Sequence, residues 1–429
     1  MPRVVIVGAG IGGLSATIAL AQRGFEVEVL EQRPSACEIG ASLSLGPNAV
    51  RLLDELGLKE VLRQTGAIPR AVDLVRWDDG RLLHRTELGA SMEPHFSAPQ
   101  LDFFRPELHE VLLARAEQVA SIRFGARVVA VADEGRTCHV VLGGTDRERV
   151  EATVVVGADG VSSTVRQLLV GKDQPVFSGT VVYRGIADRR DVADLHPAGV
   201  NCYWLGPNRH GVSYWLSGGE RLAVTCAVRD AAWSQESWTL QTAPTEVLGY
   251  LEGWHEPFLE RIRRCTLMLR SAVYVRQPLA QWSFGRVTLL GDAAHAMQPF
   301  EAQGAAQAVE DAYALAACLA EGPDDVRAAL QRYAAVRIER TRELQDSSRA
   351  AAEAFYLPDG EEQRRRDAEY AVLHRRQPWG PRQPLWEYDV RAALRSAPRA
   401  AHGDASHDTG SSASDDLGYS GRSASASVL

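Results

Sequence analysis

Three glycines near the N-terminus and an acid further along form the pattern in this sequence best suited to chemistry. Gly8, Gly10 and Gly13 are spaced as G-x-G-x-x-G, with Gly12 between the last two. The first glycine of such a loop allows a tight turn, the second admits a pyrophosphate and the third lets a helix pack on the strand. Glu31 follows at about the twenty-residue distance of an acid that binds ribose hydroxyls. Because a carboxylate repels a 2′-phosphate, the pattern predicts FAD or NAD, and not NADP, as the ligand.

The elements around this loop are predicted to be a buried strand and a helix. Residues 4–7 are apolar and mostly β-branched, and residues 14–21 supply an apolar helix face. The free N–H groups at the start of that helix would face the phosphates. Residues 26–31 complete a βαβ unit, so a dinucleotide site is favoured over a βαβ unit without a ligand.

Two later stretches also place an acid at the end of a predicted strand. Residues 153–156 lead to Asp159, and residues 287–290 lead to Asp292. Open α/β sheets bind ligands at this carboxyl edge, although a turn or a helix cap is the alternative role for each acid. After Asp292 the chain passes Pro299 and enters a predicted helix at Gly304, whose unpaired N–H groups would stabilise an anion.

Composition and charge exclude several classes of function. The 429 residues carry a net charge of −8, which argues against nucleic acid as a general partner. The six cysteines form no C-x-x-C pair or metal-like cluster, so we expect free thiols, a cytoplasmic location and no metal site. We also expect no signal peptide and no membrane span, because the first strand begins at once and no other apolar run is long enough.

The order of the predicted elements indicates an α/β fold with two domains and a C-terminal helical region. A Rossmann-like domain is interrupted by an inserted β-sheet domain, where alternating and aromatic-rich strands predict the substrate site. The tail has too little apolar bulk to order itself. The predicted ranges are 1–75, 100–175 and 276–320 for the FAD- or NAD-binding domain, 76–99 and 176–275 for the substrate domain, 321–395 for the helices and 396–429 for the disordered tail.

Together, the three motifs resemble the signature of the single-component FAD-dependent aromatic hydroxylases, typified by salicylate and p-hydroxybenzoate hydroxylases. The motifs are the glycine loop with Glu31, the stretch around Asp159, and residues 291–304. The resemblance covers roughly residues 1–390 and is closest to the salicylate hydroxylase-like branch. Smaller matches support it at residues 47–48, 105–108, 204–207 and 386–389.

The resemblance implies that FAD is bound tightly and without a covalent link. It places Asp159 and Gly160 near the pyrophosphate and NAD(P)H, and Asp292 at the ribityl and pyrophosphate region. It also implies that Arg105 contacts FAD and that Val128 is a backbone contact on the adenine side.

The loop that leads into the last helix of this motif departs from the usual pattern at two positions. Through Pro299 it would bring the helix that starts at Gly304 to the flavin N1 and C2 carbonyl. Ala305 stands where many relatives have Gly or Asn, although the backbone donors survive this change. Glu301 is unusual, and we expect it to face solvent, since unpaired burial of a carboxylate is costly.

The reaction that the resemblance implies is hydroxylation of an electron-rich aromatic ring, phenolic or carboxylated. NAD(P)H, a transient co-substrate, reduces FAD, and O2 then gives a flavin C4a-hydroperoxide that transfers its distal oxygen to the ring. Water has to be excluded, and a base that removes the phenolic proton assists the transfer.

Three residues of the predicted β domain are candidates for work on the substrate. His210 and Tyr214 share one strand face, and relatives that hydroxylate phenolic acids carry His and Tyr at this spacing. We therefore predict His210 as the base and Tyr214 as its hydrogen-bonding partner; a turn histidine and a half-buried strand tyrosine are the alternative. Arg184 is predicted to bind a substrate carboxylate, with a surface strand arginine as the alternative.

Other functions remain open at this point. One is a flavin-dependent tailoring epoxidase or a halogenase, although Trp233 and Trp238 do not form the W-x-W-x-I-P pattern of halogenases. Another is a FAD-binding protein without turnover. The sequence does not decide the ring substrate, NADH or NADPH, decarboxylation, or whether the protein is a monomer or a homodimer.

Overall fold

The computed structural model describes residues 2–36, 42–171, 173–230, 240–266, 268–322, 324–373, 375 and 377–398. Within these residues the chain folds around two large sheets, and strands and helices are numbered along the chain. The predicted tail lies outside the described residues from position 399 onward, as do Trp233 and Trp238.

Six strands of the described residues form the first sheet. They are β1 (Arg3–Val7), β2 (Glu26–Glu31), β7 (Ser121–Phe124), β11 (Val154–Gly157), β18 (Ser283–Phe284) and β19 (Val287–Leu289). Their order is β18-β19-β11-β1-β2-β7, and all pairs are parallel except the β18–β19 hairpin. Val4, Val5 and Ile6 of β1 are fully buried, as expected for a central strand covered on both faces.

Helices and two small sheets complete this domain. Helix α1 packs beside α5 and α11, and the strand pair β3–β6 lies next to the entry of α5. The elements are β3 (Ser42–Leu45), β6 (Leu101–Phe104), β8 (Val128–Asp133), β9 (Cys138–Leu142), β10 (Arg149–Ala152), α1 (Ile11–Ala21), α2 (Pro47–Leu53), α3 (Lys59–Thr65), α5 (Arg105–Glu117), α6 (Thr164–Val170), α10 (Asp292–His295) and α11 (Gly304–Glu321).

Eight strands of the described residues form the second sheet, whose pairs are antiparallel except β13–β4. Its order is β16-β17-β12-β15-β14-β13-β4-β5. The strands are β4 (Ala71–Arg76), β5 (Leu82–Glu87), β12 (Val176–Asp188), β13 (Val200–Gly206), β14 (Arg209–Leu216), β15 (Arg221–Arg229), β16 (Leu240–Thr242) and β17 (Met268–Val275). Strand β4 belongs to this sheet, whereas the predicted ranges assign its first five residues to the other domain.

The remaining helices cover the second sheet and close the molecule. One face of this sheet packs against α8 and α9, and part of the other packs against α12 and α13. They are α4 (Gly89–Phe96), α7 (Arg189–Val192), α8 (Pro244–Gly249), α9 (Glu256–Arg263), α12 (Val326–Phe355), α13 (Glu361–Leu373), α14 (Gln383–Glu387) and α15 (Val390–Ser396).

The fold class is confirmed: a Rossmann-like α/β domain, an inserted sheet and C-terminal helices. Gly57 adopts a φ of 83° and bends the chain within a π-turn, Asp54–Leu58, that links α2 to α3. No helix in the described part of the chain combines the length and the apolar character needed to cross a bilayer.

Candidate active site

The glycine loop forms a tight turn between β1 and α1. Gly8 has a φ of 107°, and a Cβ there would lie 2.5 Å from the Ala158 carbonyl oxygen. A Cβ at Gly13 would collide with the Gly8 carbonyl, so Gly13 serves close packing of helix and strand. At Gly10, by contrast, a Cβ would meet no protein atom within 4 Å, which leaves this side of the loop open for a ligand.

A cavity of about 350 Å³, here called the edge cavity, runs along the carboxyl edge of the first sheet. Its wall includes predicted cofactor residues from the first two segments of the first domain: Gly8, Gly10, Glu31, Arg105, Val128, Asp159 and Gly160. The carboxylate of Glu31 accepts hydrogen bonds from the backbone N–H groups of Ala9 and Arg33, each at 2.9 Å. These bonds fix the acid at the rim, where the second lone pair of each oxygen is free for ribose hydroxyls.

Asp159 lines the edge cavity and also caps a helix. Its carboxylate accepts hydrogen bonds from the Ser163 hydroxyl and, at 3.0 Å, from the Val165 backbone N–H. Burial raises the pKa of Asp159, and these bonds oppose that rise. Ser163 is the N-cap of α6. The capping role that the sequence left open is therefore present, and it holds Asp159 at the cavity wall.

The third motif brings a helix start to a second cavity. After β19, the short α10 begins at Asp292, and a 3₁₀ turn at Pro299–Glu301 leads into α11 at Gly304. No side chain caps α11, so the N–H groups of its first turn point out of the helix. Asp292, Pro299, Gly304 and Ala305 all line this second cavity.

The second cavity, here called the interface cavity, has about 350 Å³ and lies between the two sheets. The first domain contributes Gly10, Gly12 and Arg105, and the second sheet contributes Arg184, His210 and Tyr214. Gly10, Arg105, Ala158 and Gly160 also line the edge cavity, so the two cavities meet along one groove. Of all predicted site residues, only Gly13 lines neither cavity.

Strand β14 gives the interface cavity its polar wall. His210, Val212 and Tyr214 alternate along β14 and all line the cavity, which confirms their predicted common face. Their neighbours across the sheet are on β13 and β15.

Residues of β3, β13, the turn before α11 and the C-terminal region that were not predicted also line this cavity. They are Ser42, Ser44, Tyr203, Phe300, Phe355 and Arg382. Arg382 lies in the segment before α14, and nothing in its local sequence marks it. It reaches the cavity only because the C-terminal helices pack back on the second sheet.

Comparison with known proteins gives a consistent result. A family model described as an FAD binding domain matches residues 1–348. The 3-amino-4-hydroxybenzoate 2-monooxygenase PtnB3 of Streptomyces platensis is 36% identical over 392 residues, which are 91% of this chain and 97% of that protein. The 3-hydroxybenzoate 6-hydroxylase of Polaromonas naphthalenivorans is 35% identical over 356 residues, 82% of this chain and 88% of that protein. The chain belongs to the FAD-dependent aromatic hydroxylases.

Solved structures agree with this membership. Klebsiella pneumoniae HpxO, complexed with FAD and uric acid, matches with a TM-score of 0.78 and 26% identity, covering 92% of this hydroxylase and 97% of that chain. A salicylate hydroxylase substrate complex has the same fold, with a TM-score of 0.79 and 24% identity over 94% of this chain and 99% of that one. The hydroxylase is therefore a flavoprotein monooxygenase that acts on an aromatic substrate, and the alternative without turnover is set aside.

The continuous groove fits FAD. The open space at Gly10 and the uncapped starts of α1 and α11 offer backbone N–H donors at two places along it. Glu31 stands at the end suited to a ribose, and α11 begins at the cavity suited to the flavin ring. Bound FAD supplies the redox chemistry and the activation of oxygen, and the chain positions and shields it.

His210 lies in an apolar part of the interface cavity. Its ring packs 5.2 Å from the ring of Phe300 and 5.6 Å from that of Phe355, measured between centroids. Its Nδ1 has no hydrogen-bond partner within the described residues. Burial lowers the pKa of His210 to about 3, so the imidazole is neutral at working pH. That the proton of a phenol passes to His210 stays a prediction.

The prediction that Glu301 faces solvent is wrong. Glu301 is buried, and its carboxylate accepts a hydrogen bond of 2.8 Å from the Ser347 hydroxyl on α12. Burial raises the pKa of Glu301, while Ser347, Arg382 and Arg340 oppose the rise. The helix α12 covers the loop before α11, and sequence position alone could not show this packing.

A buried network of charged and polar side chains lies behind the loop of residues 291–304, and it was not predicted from the sequence. Arg337 on α12 is fully buried and donates to Asp311 at 2.8 Å, to Glu310 at 2.7 Å and to Gln307 at 2.6 Å. Asp311 in turn accepts from the Gly291 backbone N–H at 3.0 Å and contacts His295 at 2.6 Å. Burial alone would raise the pKa of Asp311, but His295 and Arg337 lower it.

The two acids of this network, Glu310 and Asp311, lie within the alanine-rich helix α11, and nothing in the local sequence marks them. Through Asp311, which accepts from the Gly291 backbone N–H and contacts His295, the network holds the Gly291–Asp292 turn in place.

Proposed function

We propose that this hydroxylase acts on an aromatic acid that carries a ring hydroxyl or amino group, with O2 and NAD(P)H as co-substrates. The observation that carries the proposal is Arg382, a cation in the wall of the interface cavity that forms no ion pair in the part of the chain that the structure describes. Relatives named for hydroxybenzoate and aminohydroxybenzoate substrates support the same class.

No carboxylate of the described residues is in direct contact with Arg382. Its guanidinium donates to the Tyr203 hydroxyl at 3.4 Å and to the Phe300 carbonyl at 3.2 Å, and both are neutral acceptors. Burial would lower the pKa of Arg382, but Tyr203, Glu301 and Asp102 raise it, so the group stays protonated. A buried cation without a directly bonded anion is costly. A substrate carboxylate would form a bidentate ion pair with Arg382.

Three predicted residues complete the proposed substrate site. Arg184 lines the same cavity, donates to the Ser271 hydroxyl at 2.5 Å and has a pKa that burial lowers to about 10. It gives the carboxylate a second cationic neighbour, as predicted from the resemblance. Neutral His210 and Tyr214 would hold the ring hydroxyl by hydrogen bonds on the wall formed by β14.

A panel of matched acids and amides tests the substrate class. We expect 3-amino-4-hydroxybenzoate and 3-hydroxybenzoate to stimulate NAD(P)H oxidation with coupled product, and the corresponding benzamides to fail. Arg382→Met should raise KM for the acids by about 10²-fold, as expected when a charge-assisted pair is lost. Arg342→Met, on the exposed side of α12, is the matched control and should leave KM unchanged. Equal turnover of acids and amides would contradict the proposal.

The remaining parts of the proposal concern the surroundings of the enzyme. A cytoplasmic location agrees with the free thiols of Cys138, Cys202, Cys226, Cys265 and Cys318. The enzyme is proposed to act as a monomer or a homodimer. Epoxidation and halogenation are not favoured, since the relatives named above are ring hydroxylases and monooxygenases.

A further inference from the structure

A buried carboxylate next to the interface cavity has no role in the site described so far. Asp102 of β6 is 1% exposed. Its Oδ1 accepts hydrogen bonds from the Ser44 hydroxyl at 2.5 Å and from the Gln100 amide at 3.0 Å. Its Oδ2 accepts from the Asn201 amide at 2.7 Å. All three donors are neutral, and within the described residues no cation forms an ion pair with Asp102.

Ser44 connects this carboxylate to the cavity. Strands β3 and β6 pair so that Ser44 stands directly opposite Asp102. Ser44 itself lines the interface cavity, and its hydroxyl is bonded to the carboxylate, so Ser44 links Asp102 to the cavity wall. A hydroxyl both donates and accepts a hydrogen bond, and it can therefore pass a proton from one side to the other.

We propose that Asp102, acting through Ser44, is the group that receives the proton of the substrate's ring hydroxyl. The proposal rests on the proposed function, because it needs a phenolic substrate. In this step the O–H bond of the phenol breaks and its proton binds Ser44 Oγ, while the proton of Ser44 passes to Asp102 Oδ1. The products are a phenolate and a neutral carboxylic acid, and no electrons change hands. The proton returns by the same route when the product phenol forms.

The surroundings of Asp102 suit this task. Burial raises the pKa of Asp102 to about 6, against the lowering effect of its three hydrogen bonds and of Arg382. The charged or titratable groups that face it are Arg382 and Tyr214. At neutral pH the group is thus an ionised acceptor with a pKa near that of the medium, which is the condition for efficient general-base work.

Substrate binding would strengthen this acceptor. A substrate carboxylate on Arg382 neutralises the charge that lowers the pKa of Asp102, so Asp102 gains proton affinity as the phenol arrives. His210, whose pKa burial lowers to about 3, then holds the phenolic oxygen by a hydrogen bond.

Difference infrared spectroscopy of the holoenzyme tests the proposal without turnover. When 3-amino-4-hydroxybenzoate binds at about pH 7.5, a carboxylic acid C=O band should grow in wild type and be absent in Asp102→Asn and in Ser44→Ala. In the enzyme without the probe, the same band should titrate with a midpoint near pH 6. The midpoint should move upward in Gln100→Met, because one bond that stabilises the ionised form is lost.

Kinetics supply the second measurement. In single-turnover reactions of Asp102→Asn, the hydroxylation rate should no longer fall at low pH. In Ser44→Ala hydroxylation should slow about 10²- to 10⁴-fold, and flavin reduction should persist in both variants. A C=O band that persists in Asp102→Asn, or a midpoint unmoved in Gln100→Met, would overturn the proposal. Failure of the probe to perturb the flavin spectrum would count against the proposed function instead, and the titration without the probe would still decide the role of Asp102.

Discussion

At the level of single residues, burial shifts the pKa values of His210, in the wall of the interface cavity, and of Asp102, next to that cavity, in opposite directions. Burial lowers the pKa of His210 and raises that of Asp102, because it disfavours the charged form of each. Nothing offsets the effect of burial on the pKa of His210, whereas three hydrogen-bond donors oppose it at Asp102. The two groups can therefore be separated by the pH dependence of their variants.

The first prediction concerns His210→Ala. This variant should still bind FAD and be reduced by NAD(P)H with substrate bound, since the cofactor groove lies on other elements. If His210 only holds the phenolic oxygen while Asp102 receives the proton through Ser44, hydroxylation should fall only modestly. If His210 is the base instead, hydroxylation should fall by about 10²- to 10⁴-fold and more reducing equivalents should appear as H2O2. Raising the pH should then partly restore product. Tyr214→Phe should cost less, because the ring packing remains.

Single-turnover kinetics, with reduction and hydroxylation followed separately, check this. If coupling and pH profile are unchanged in His210→Ala, the base assignment is rejected.

The second prediction links the Asp102 carboxyl to stability. In the folded enzyme the Asp102 carboxyl has a pKa of about 6, whereas in the unfolded chain its pKa is about 4. The folded state thus binds more protons in this window, and the free energy of unfolding should fall by about 3 kcal/mol as pH rises through it. Asp102→Asn should lack this contribution, and exposed Asp146→Asn should keep it. Denaturant unfolding at several pH values and fixed FAD concentration measures the slope; equal slopes in all three proteins would refute the prediction.

At the level of helices and strands, the packing of α11 against α12 determines the position of the loop formed by residues 291–304. Arg337 on α12 binds Asp311 on α11, and Asp311 binds the Gly291 backbone. The uncapped start of α11 is one end of the same helix. A change in this buried pair should therefore reach both the turn at Asp292 and the N–H groups at Gly304.

The third prediction concerns Asp311→Ala. It should destabilise the protein by about 3–5 kcal/mol, because it leaves the Arg337 charge buried and weakly compensated. It should also weaken FAD binding, since the Gly291 turn loses its anchor. Glu339→Ala, which breaks an exposed pair with Arg342, is the control and should cost less than about 1 kcal/mol. Thermal unfolding and FAD titration report the two effects, and similar results for both variants would argue against the network.

At the scale of the whole molecule, the C-terminal segment completes a site that the other domains begin. Arg382 reaches the interface cavity, and the Trp386 carbonyl accepts a hydrogen bond of 3.2 Å from Arg51 on α2. The segment therefore joins the second sheet to the first domain.

The fourth prediction compares two truncations. Ending the chain after Ala397 should keep FAD and activity, because the tail beyond it is predicted from composition to be disordered. Ending it after Gln377 should abolish activity and lower the melting temperature, since Arg382 and α14 and α15 are lost. FAD content, product formation and thermal unfolding of the two proteins are the measurements. Loss of activity in the longer protein would show that the tail has a role.

The parts of this protein that depend on local spacing could be predicted from the amino-acid sequence. The glycine loop, Glu31 and the strand-terminal acids Asp159 and Asp292 each follow from backbone geometry within a few residues, so their clustering along one groove was predictable. The alternation of His210 and Tyr214 on β14 was predictable for the same reason, since successive strand residues point to opposite faces.

The surroundings of those residues depend on tertiary packing and could not be predicted from the sequence. Ser44 and Asp102 are 58 residues apart, Arg382 lies far beyond both, and no spacing rule connects the three. Whether Glu301 is buried depends on how α12 packs over its loop. The basicity of His210 depends on aromatic neighbours from other elements. Burial and charge are set by contacts distant in sequence, and these contacts shift the pKa values on which the chemistry depends.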